Sequence, residues 1–230
     1  MRVLELFSGT RSIGRAFEAR GHTVYSVDYC ESFEADSHED IAVLGVTDVM
    51  DAFGAPDVVW ASPDCTTYSV AALGRHRKKD PATGWLMPVT DYAKICDAVN
   101  QHLMRLIEAL APQLWFVENP RGGAPEDAVD AGLPRYTVTY CQYGYRYMKP
   151  TDIWTNARDP RFKPPCRPGD PCHEAAPRGA RTGMQATCSK ADRARIPPAL
   201  CDHVVDVCER EVRGTKETRI GGEDLTWQGR

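Results

Sequence analysis

The sequence predicts an α/β fold: a parallel sheet wrapped by helices, carrying a small irregular insert rich in Cys, His and Arg. As far as Pro120, short apolar runs alternate with helical patterns, the order that builds parallel strands joined by crossover helices. Three of the apolar runs end on small or polar residues suited to a ligand site. Between residues 159 and 190 the chain turns to Pro, Gly, Arg and Cys with no period, which predicts irregular structure.

Val3 to Phe7 reads as the first strand and Ser12 to Arg20 as an amphipathic helix, with Ser8, Gly9 and Thr10 permitting a tight turn close to a ligand. Thr23 to Asp28 is the second strand. A weaker one, Ala42 to Gly45, leads to Asp48, and Asp57 to Ala61 is a buried strand stopped at Ser62-Pro63, where proline cannot extend the ladder. Asp91 to Leu110 predicts a helix with Ile95, Val99, Leu103, Leu106, Ile107 and Leu110 on one face. Leu114 to Glu118 is another buried strand. Tyr136 to Tyr140 and Asp152 to Trp154 read as strands. A last helix from Ala199 to about Val212 follows Pro197-Pro198, and a polar tail begins at Gly214.

With 230 residues, 42% apolar and 26% charged, the chain can bury a core without disulfides and is neither disordered nor membrane-embedded. It has no apolar run of about 18 residues, and MRVLELFSG enters a strand without the pattern of a signal peptide. The expectation is a cytoplasmic protein with no membrane association and no obligate protein partner. Nine cysteines in that setting point to core, metal or catalytic thiols. The net charge of −4 conceals an asymmetry. Residues 1–57 hold four basic and eleven acidic residues, whereas residues 146–195 hold eleven basic and five acidic ones. A basic side of this kind suits contact with a nucleic acid.

In a parallel sheet the carboxyl ends of the strands face one crevice, so Phe7-Ser8-Gly9, Pro63-Asp64-Cys65 and Glu118-Asn119-Pro120 should converge. Asp28, ending the second strand, is placed to accept hydrogen bonds from a ribose diol, and Tyr29 to stack on a purine. Asp48 could accept from an exocyclic amine.

These segments resemble the DNA (cytosine-5) methyltransferase family. The matching pieces stand in family order: LELFSGTRSIGRAF, VDYCESF, VTDV, ASPDCTTYS, FVENPRGG and YGYRYMKPTDIW, then IPPALCDHVV as a candidate final motif. The pairing of ASP-x-C-xx-YS with VENP some fifty residues later is specific. The resemblance implies a Rossmann-like sheet binding S-adenosylmethionine (SAM). Phe7, Ser8, Gly9 and Pro63 would lie on the methionine side, Asp28 and Tyr29 at the ribose and adenine, and Asp48 at the adenine amine. The small size is similar to stand-alone phage modification enzymes, which implies a bacterial host or a phage gene.

Carbon 5 of cytosine is a poor nucleophile, so a thiolate must first add to carbon 6, and an acid must serve the ring nitrogen as it does. Cys65 and Glu118 fit those roles, with Asn119 orienting the loop. A base inside a duplex is unreachable until it is flipped out. Three departures from the family stand out. Asp64 replaces the usual proline before the nucleophile, and its charge would raise the thiol pKa unless turned away or paired. Where the family carries two arginines, this chain has Lys149 and Thr151. The recognition region is reduced to residues 157–192.

That insert contains Cys166, Cys172 and His173, with Cys188 downstream, a set that zinc could clamp into order. The adjacent Cys-His pair needs a sharp turn, and unlinked thiols in a basic loop are the alternative. Arg75 to Lys79 falls where the family has a loop that closes over substrate, and as a basic lid it would suit phosphates. The expected organisation is thus a catalytic domain over residues 1–156, the insert 157–192, a returning helix 193–212 and a tail 213–230. Two alternatives share the same residues: cytosine-5 methylation of RNA or a free nucleotide, and a catalytically weakened nucleic-acid-binding protein.

Overall fold

The computed structural model describes residues 1–69, 72–122, 133–175, 192 and 194–220, with side chains in the last helix described as far as Val212. In chain order the elements are β1 (Arg2–Leu6), α1 (Ser12–Ala19), β2 (Thr23–Val27), α2 (Val46–Ala52), β3 (Val58–Ala61) and α3 (Leu73–His76). The hairpin strands β4 (Arg77–Lys79) and β5 (Leu86–Pro88) follow, then α4 (Asp91–Leu110), β6 (Leu114–Pro120) and β7 (Arg135–Thr139). A 3-10 turn (Tyr140–Tyr143), β8 (Pro150–Thr155) and α5 (Pro198–Ile220) complete the described chain.

Six strands form one sheet in the order β2-β1-β3-β6-β8-β7. The first four are mutually parallel, and β8 runs antiparallel to both β6 and β7. Alternation along each strand divides the core between two faces. Val3, Val58, Trp60 and Phe116 pack with Ile13 and Phe17 of α1 and Leu200, Val204 and Cys208 of α5. Their neighbours Leu4, Val59, Ala61 and Val117 pack on the other face with Leu103, Leu106 and Ile107 of α4. The outcome is a three-layer sandwich whose parallel strand ends open on one side.

Three of the expected elements depart from the sequence-based reading. Ala42 to Gly45 is not a strand: Asp40 organises a turn by accepting from the Ala42, Val43 and Leu44 N–H groups, and the helix α2 follows. Ile41, Leu44 and Val49 then reach the core from a turn and a helix. The helix α4 has the expected bounds, but its first half buries Ala93, Cys96 and Asn100 and leaves Ile95 59% exposed. That face is set by a polar network described below. The final helix continues beyond Val212 to Ile220, where Gly221-Gly222 follows.

A buried carboxylate shapes the start of the fold. Glu5 of β1 lies beneath α1, and a Cβ on Gly14 would collide with its Oε2. Glycine at that helical position lets α1 settle on the strand without displacing the Glu5 carboxyl. Burial pushes the Glu5 carboxyl up to about 7.

Candidate active site

The three strand ends converge. Beyond β1, Phe7 and Gly9 both take left-handed backbone conformations, with φ of 54° and 47°, a strained path for Phe7 that recurs at ligand-binding turns. The Gly9 N–H donates to Asp28 Oδ2 at 2.8 Å and the Cys30 N–H to Asp28 Oδ1 at 2.9 Å, which ties this turn to the end of β2. The Ser62 N–H donates to the Leu6 carbonyl at 3.2 Å, joining the ends of β3 and β1. Asn119 Nδ2 donates to the Pro63 carbonyl at 3.1 Å, joining β6 to the loop after β3.

Cys65 sits half-buried in that loop, and its carbonyl accepts from the Tyr68 and Ser69 N–H groups at the start of a tight turn. Burial, and then the nearby Glu118 carboxylate, push its thiol up to about 11; Lys149 opposes the rise, and Asp64 adds less than either. The departure at Asp64 is met by pairing. Thr66 donates to Asp64 Oδ1 from its N–H at 2.7 Å and its hydroxyl at 2.6 Å, and the Tyr92 hydroxyl donates to Oδ2.

Glu118, buried on β6, accepts from the Tyr140 hydroxyl at 3.0 Å. Lys149 Nζ lies 4.3 Å from the centre of the Tyr140 ring, and Lys149 has a left-handed φ of 32° immediately before Pro150. Thr151, fully buried, shares the surroundings of the Tyr140 hydroxyl. Tyr140 is not among the residues singled out from the sequence; its one signal, the alternation of Tyr136, Val138 and Tyr140, is equally the signal of an ordinary strand.

Asp28 is buried and Tyr29 beside it is 69% exposed. Asp48 lies in the first turn of α2, exposed, with Oδ2 accepting from the Gly45 N–H at 2.8 Å. Ser8 Oγ and Asn119 Oδ1 are buried polar atoms with no hydrogen-bond partner among the described residues.

The stretch Arg75 to Lys79 does not act as a whole as a phosphate-binding lid, because Arg77 is buried. Its guanidinium contacts Asp97 Oδ2 at 3.1 Å and the Thr67 carbonyl at 3.2 Å, and it lies over the Tyr68 ring at 4.2 Å. The Tyr68 hydroxyl donates to Asp97 Oδ1 at 2.6 Å and accepts from Asn100 Nδ2 at 2.8 Å. An unpaired arginine would be costly there, so the chain folds it onto Asp97 and leaves Arg75, Lys78 and Lys79 to solvent. This network binds the loop after Cys65 to α4 and fixes the face that α4 presents.

In the insert, Cys166, Cys172 and His173 come together and are joined by Cys141 from the 3-10 turn; their four ligand atoms lie within 4.8 Å of one another. The turn at residues 171–173 lets the adjacent Cys172 and His173 face one point. Cys188 lies outside the described residues, as do Arg178 and Arg181.

No family model matches the chain. A protein of Frog virus 3 (isolate Goorha) described as "Probable DNA (cytosine-5)-methyltransferase" is 29% identical over 228 residues, covering 90% of this chain and all of that one. Among solved structures, the Schizosaccharomyces pombe Dnmt2 methyltransferase overlaps 67% of this chain and 48% of its own, with 16% identity and a TM-score of 0.45. The Entamoeba histolytica methyltransferase EhMeth overlaps 67% and 52%, with 14% identity and a TM-score of 0.45. The chain thus spans about half the length of these two. No helix among the described residues is long and apolar enough to cross a membrane. The likeness to the viral relative runs the full length of that protein, and the ASPDC and VENP segments of this chain meet at one crevice, so the chain is similar in sequence to a protein described as a DNA (cytosine-5) methyltransferase.

Proposed function

We propose that the protein transfers a methyl group from SAM to carbon 5 of cytosine in DNA through a covalent Cys65 adduct. The observation that carries this reading is the junction of the Cys65 loop with the end of β6, where Asn119 Nδ2 donates to the Pro63 carbonyl, beside a Glu118 and a Lys149 that both lie against Tyr140 and both act on the Cys65 thiol. The donor side of the crevice suits SAM. Ser8 Oγ and Asn119 Oδ1 are buried without partners, Asp28 ends β2 beside the Gly9 turn, and Tyr29 offers an uncovered ring. Phe7, Ser8, Gly9 and Pro63 would hold the methionine portion, Asp28 and Tyr29 the ribose and adenine, and Asp48 the adenine amine. SAM when bound supplies the electrophilic methyl.

Cys65 Sγ, as thiolate, forms a bond to carbon 6 while Glu118 holds a proton at the ring nitrogen, so the electron pair of the 5,6 double bond becomes available at carbon 5. After methylation, loss of the carbon 5 proton to water expels the thiolate and restores the double bond. Lys149 favours the thiolate against burial, and Tyr140 keeps Glu118 in place. The target base leaves its stack to reach this point. Residues 157–192 act as a reduced recognition insert, with basic side chains toward the phosphates.

The test is tritium transfer from SAM to duplex DNA, single-stranded DNA, transfer RNA and dCMP, together with capture on a duplex containing 5-fluorocytosine. Transfer to duplex DNA and a covalent adduct that requires Cys65 support the reading. Transfer confined to RNA or dCMP overturns the choice of substrate, and binding to DNA with no capture and no transfer overturns the enzymatic role.

A further inference from the structure

We propose that Cys141, Cys166, Cys172 and His173 form a structural zinc site that rivets the recognition insert to the floor of the active site. Three thiolates and one imidazole are a donor set zinc takes in tetrahedral geometry, with Zn–S of about 2.3 Å and Zn–N of about 2.0 Å, which implies S···N edges of about 3.5 Å and S···S edges of about 3.8 Å. His173 Nδ1 lies 3.6 Å from Cys166 Sγ and 3.5 Å from Cys172 Sγ, and Cys172 Sγ lies 3.6 Å from Cys141 Sγ. The Cys141–Cys166 edge, 3.1 Å, opens by about 0.7 Å when a metal of that size enters.

The surroundings fit such a role. Gln142 Nε2 donates toward Cys172 Sγ at 3.7 Å, and the Cys166 N–H donates to Thr139 Oγ1 at 3.0 Å, so two ligands of the insert are oriented by residues that flank Cys141. From residue 157 to 175 the one large apolar side chain is Phe162, which stacks on His203. A stretch this poor in apolar residues gains little by burial, and a metal supplies the missing order.

Cys141 is also what links the site to the chemistry. Its neighbour in the chain, Tyr140, donates to Glu118 and lies against Lys149 Nζ. Zinc on Cys141 would therefore hold the insert and Tyr140 in one register. This second step rests on the catalytic role proposed for Glu118, whereas the metal site itself does not.

Elemental analysis of the full chain, purified without chelators, should give close to one zinc per molecule. Cys141→Ser and Cys172→Ser should lose it, while Cys188→Ser and Cys96→Ser keep it. Should Cys141→Ser fail to fold, cobalt exchange into the wild-type protein decides: a tetrahedral spectrum with charge transfer from three thiolates supports the site. Wild-type protein with no metal and all thiols reactive, a Cys141–Cys166 disulfide, or zinc lost from Cys188→Ser but kept by Cys141→Ser overturns it. In a folded Cys141→Ser protein, adduct formation on 5-fluorocytosine should fall at least tenfold while SAM affinity stays within threefold. Unchanged capture by the metal-free variant would sever the link to Tyr140 and leave the zinc result standing.

Discussion

The loop that follows β3 and the insert that follows β8 are both irregular, both border the crevice, and are fixed by different means. The first is held from within by a buried ion pair, Arg77 with Asp97, closed by Tyr68 and Asn100. The second carries little apolar surface and is held by backbone contacts, by Phe162 against His203, and by the Cys141 cluster. A network of charges and hydroxyls is complete once the chain folds. A thiol cluster is complete only when something binds it. Cys65, the proposed nucleophile, therefore stands on the self-sufficient side, and Glu118, through Tyr140, next to the side that would depend on a metal.

The largest expected effect lies on the first side. Cys65→Ser should abolish tritium transfer from SAM while leaving SAM affinity within a few-fold, because the donor pocket is built from other strand ends; turnover comparable to wild type would remove Cys65 as the nucleophile. Glu118→Gln should lower the rate by about two orders of magnitude or more, since an amide cannot deliver the proton. A rate within threefold of wild type in the same assay would assign that proton to another group. Arg77→Ala should leave the Asp97 carboxylate without its cation and cost about 3 kcal/mol, or roughly 6–12 °C in Tm; calorimetric melting within a degree of wild type would show that the loop after Cys65 is fixed by something else.

Two smaller effects refine the sheet side of the comparison. Asp28→Ala should weaken SAM binding by about 1–3 kcal/mol through lost hydrogen bonds, and titration calorimetry with an unchanged Kd would place the ribose elsewhere. Glu5 supplies a pH dependence. Its folded carboxyl titrates near 7 against an ordinary value of 4.5, so the protonated form is favoured by folding and its contribution is lost as pH rises through that window. Glu5→Gln, which has no proton to lose, should gain about 1–2 kcal/mol over wild type between pH 5 and 7 in denaturant unfolding. A difference independent of pH would mean that Glu5 stays ionised beneath α1.

The sequence alone determined the layering. Short continuous apolar runs alternating with helical patterns mark strands buried on both sides beneath helices, and strand ends marked by Ser8-Gly9, Pro63-Asp64-Cys65 and Glu118-Asn119 announce the crevice because parallel strands share one open edge. What required the tertiary structure were the pairings between distant polar side chains. Arg77 reads as one cation in a basic run until Asp97 is brought beneath it, and Asp64 as a liability until Thr66 and Tyr92 pair it. Cys141 carries no signal of its own in the sequence and joins Cys166, Cys172 and His173 only in the folded chain. Local periodicity records burial, which each residue expresses by its own type. A hydrogen bond or a ligand set belongs to a pair or a quartet, and its members are identified only once the chain has closed the distance between them.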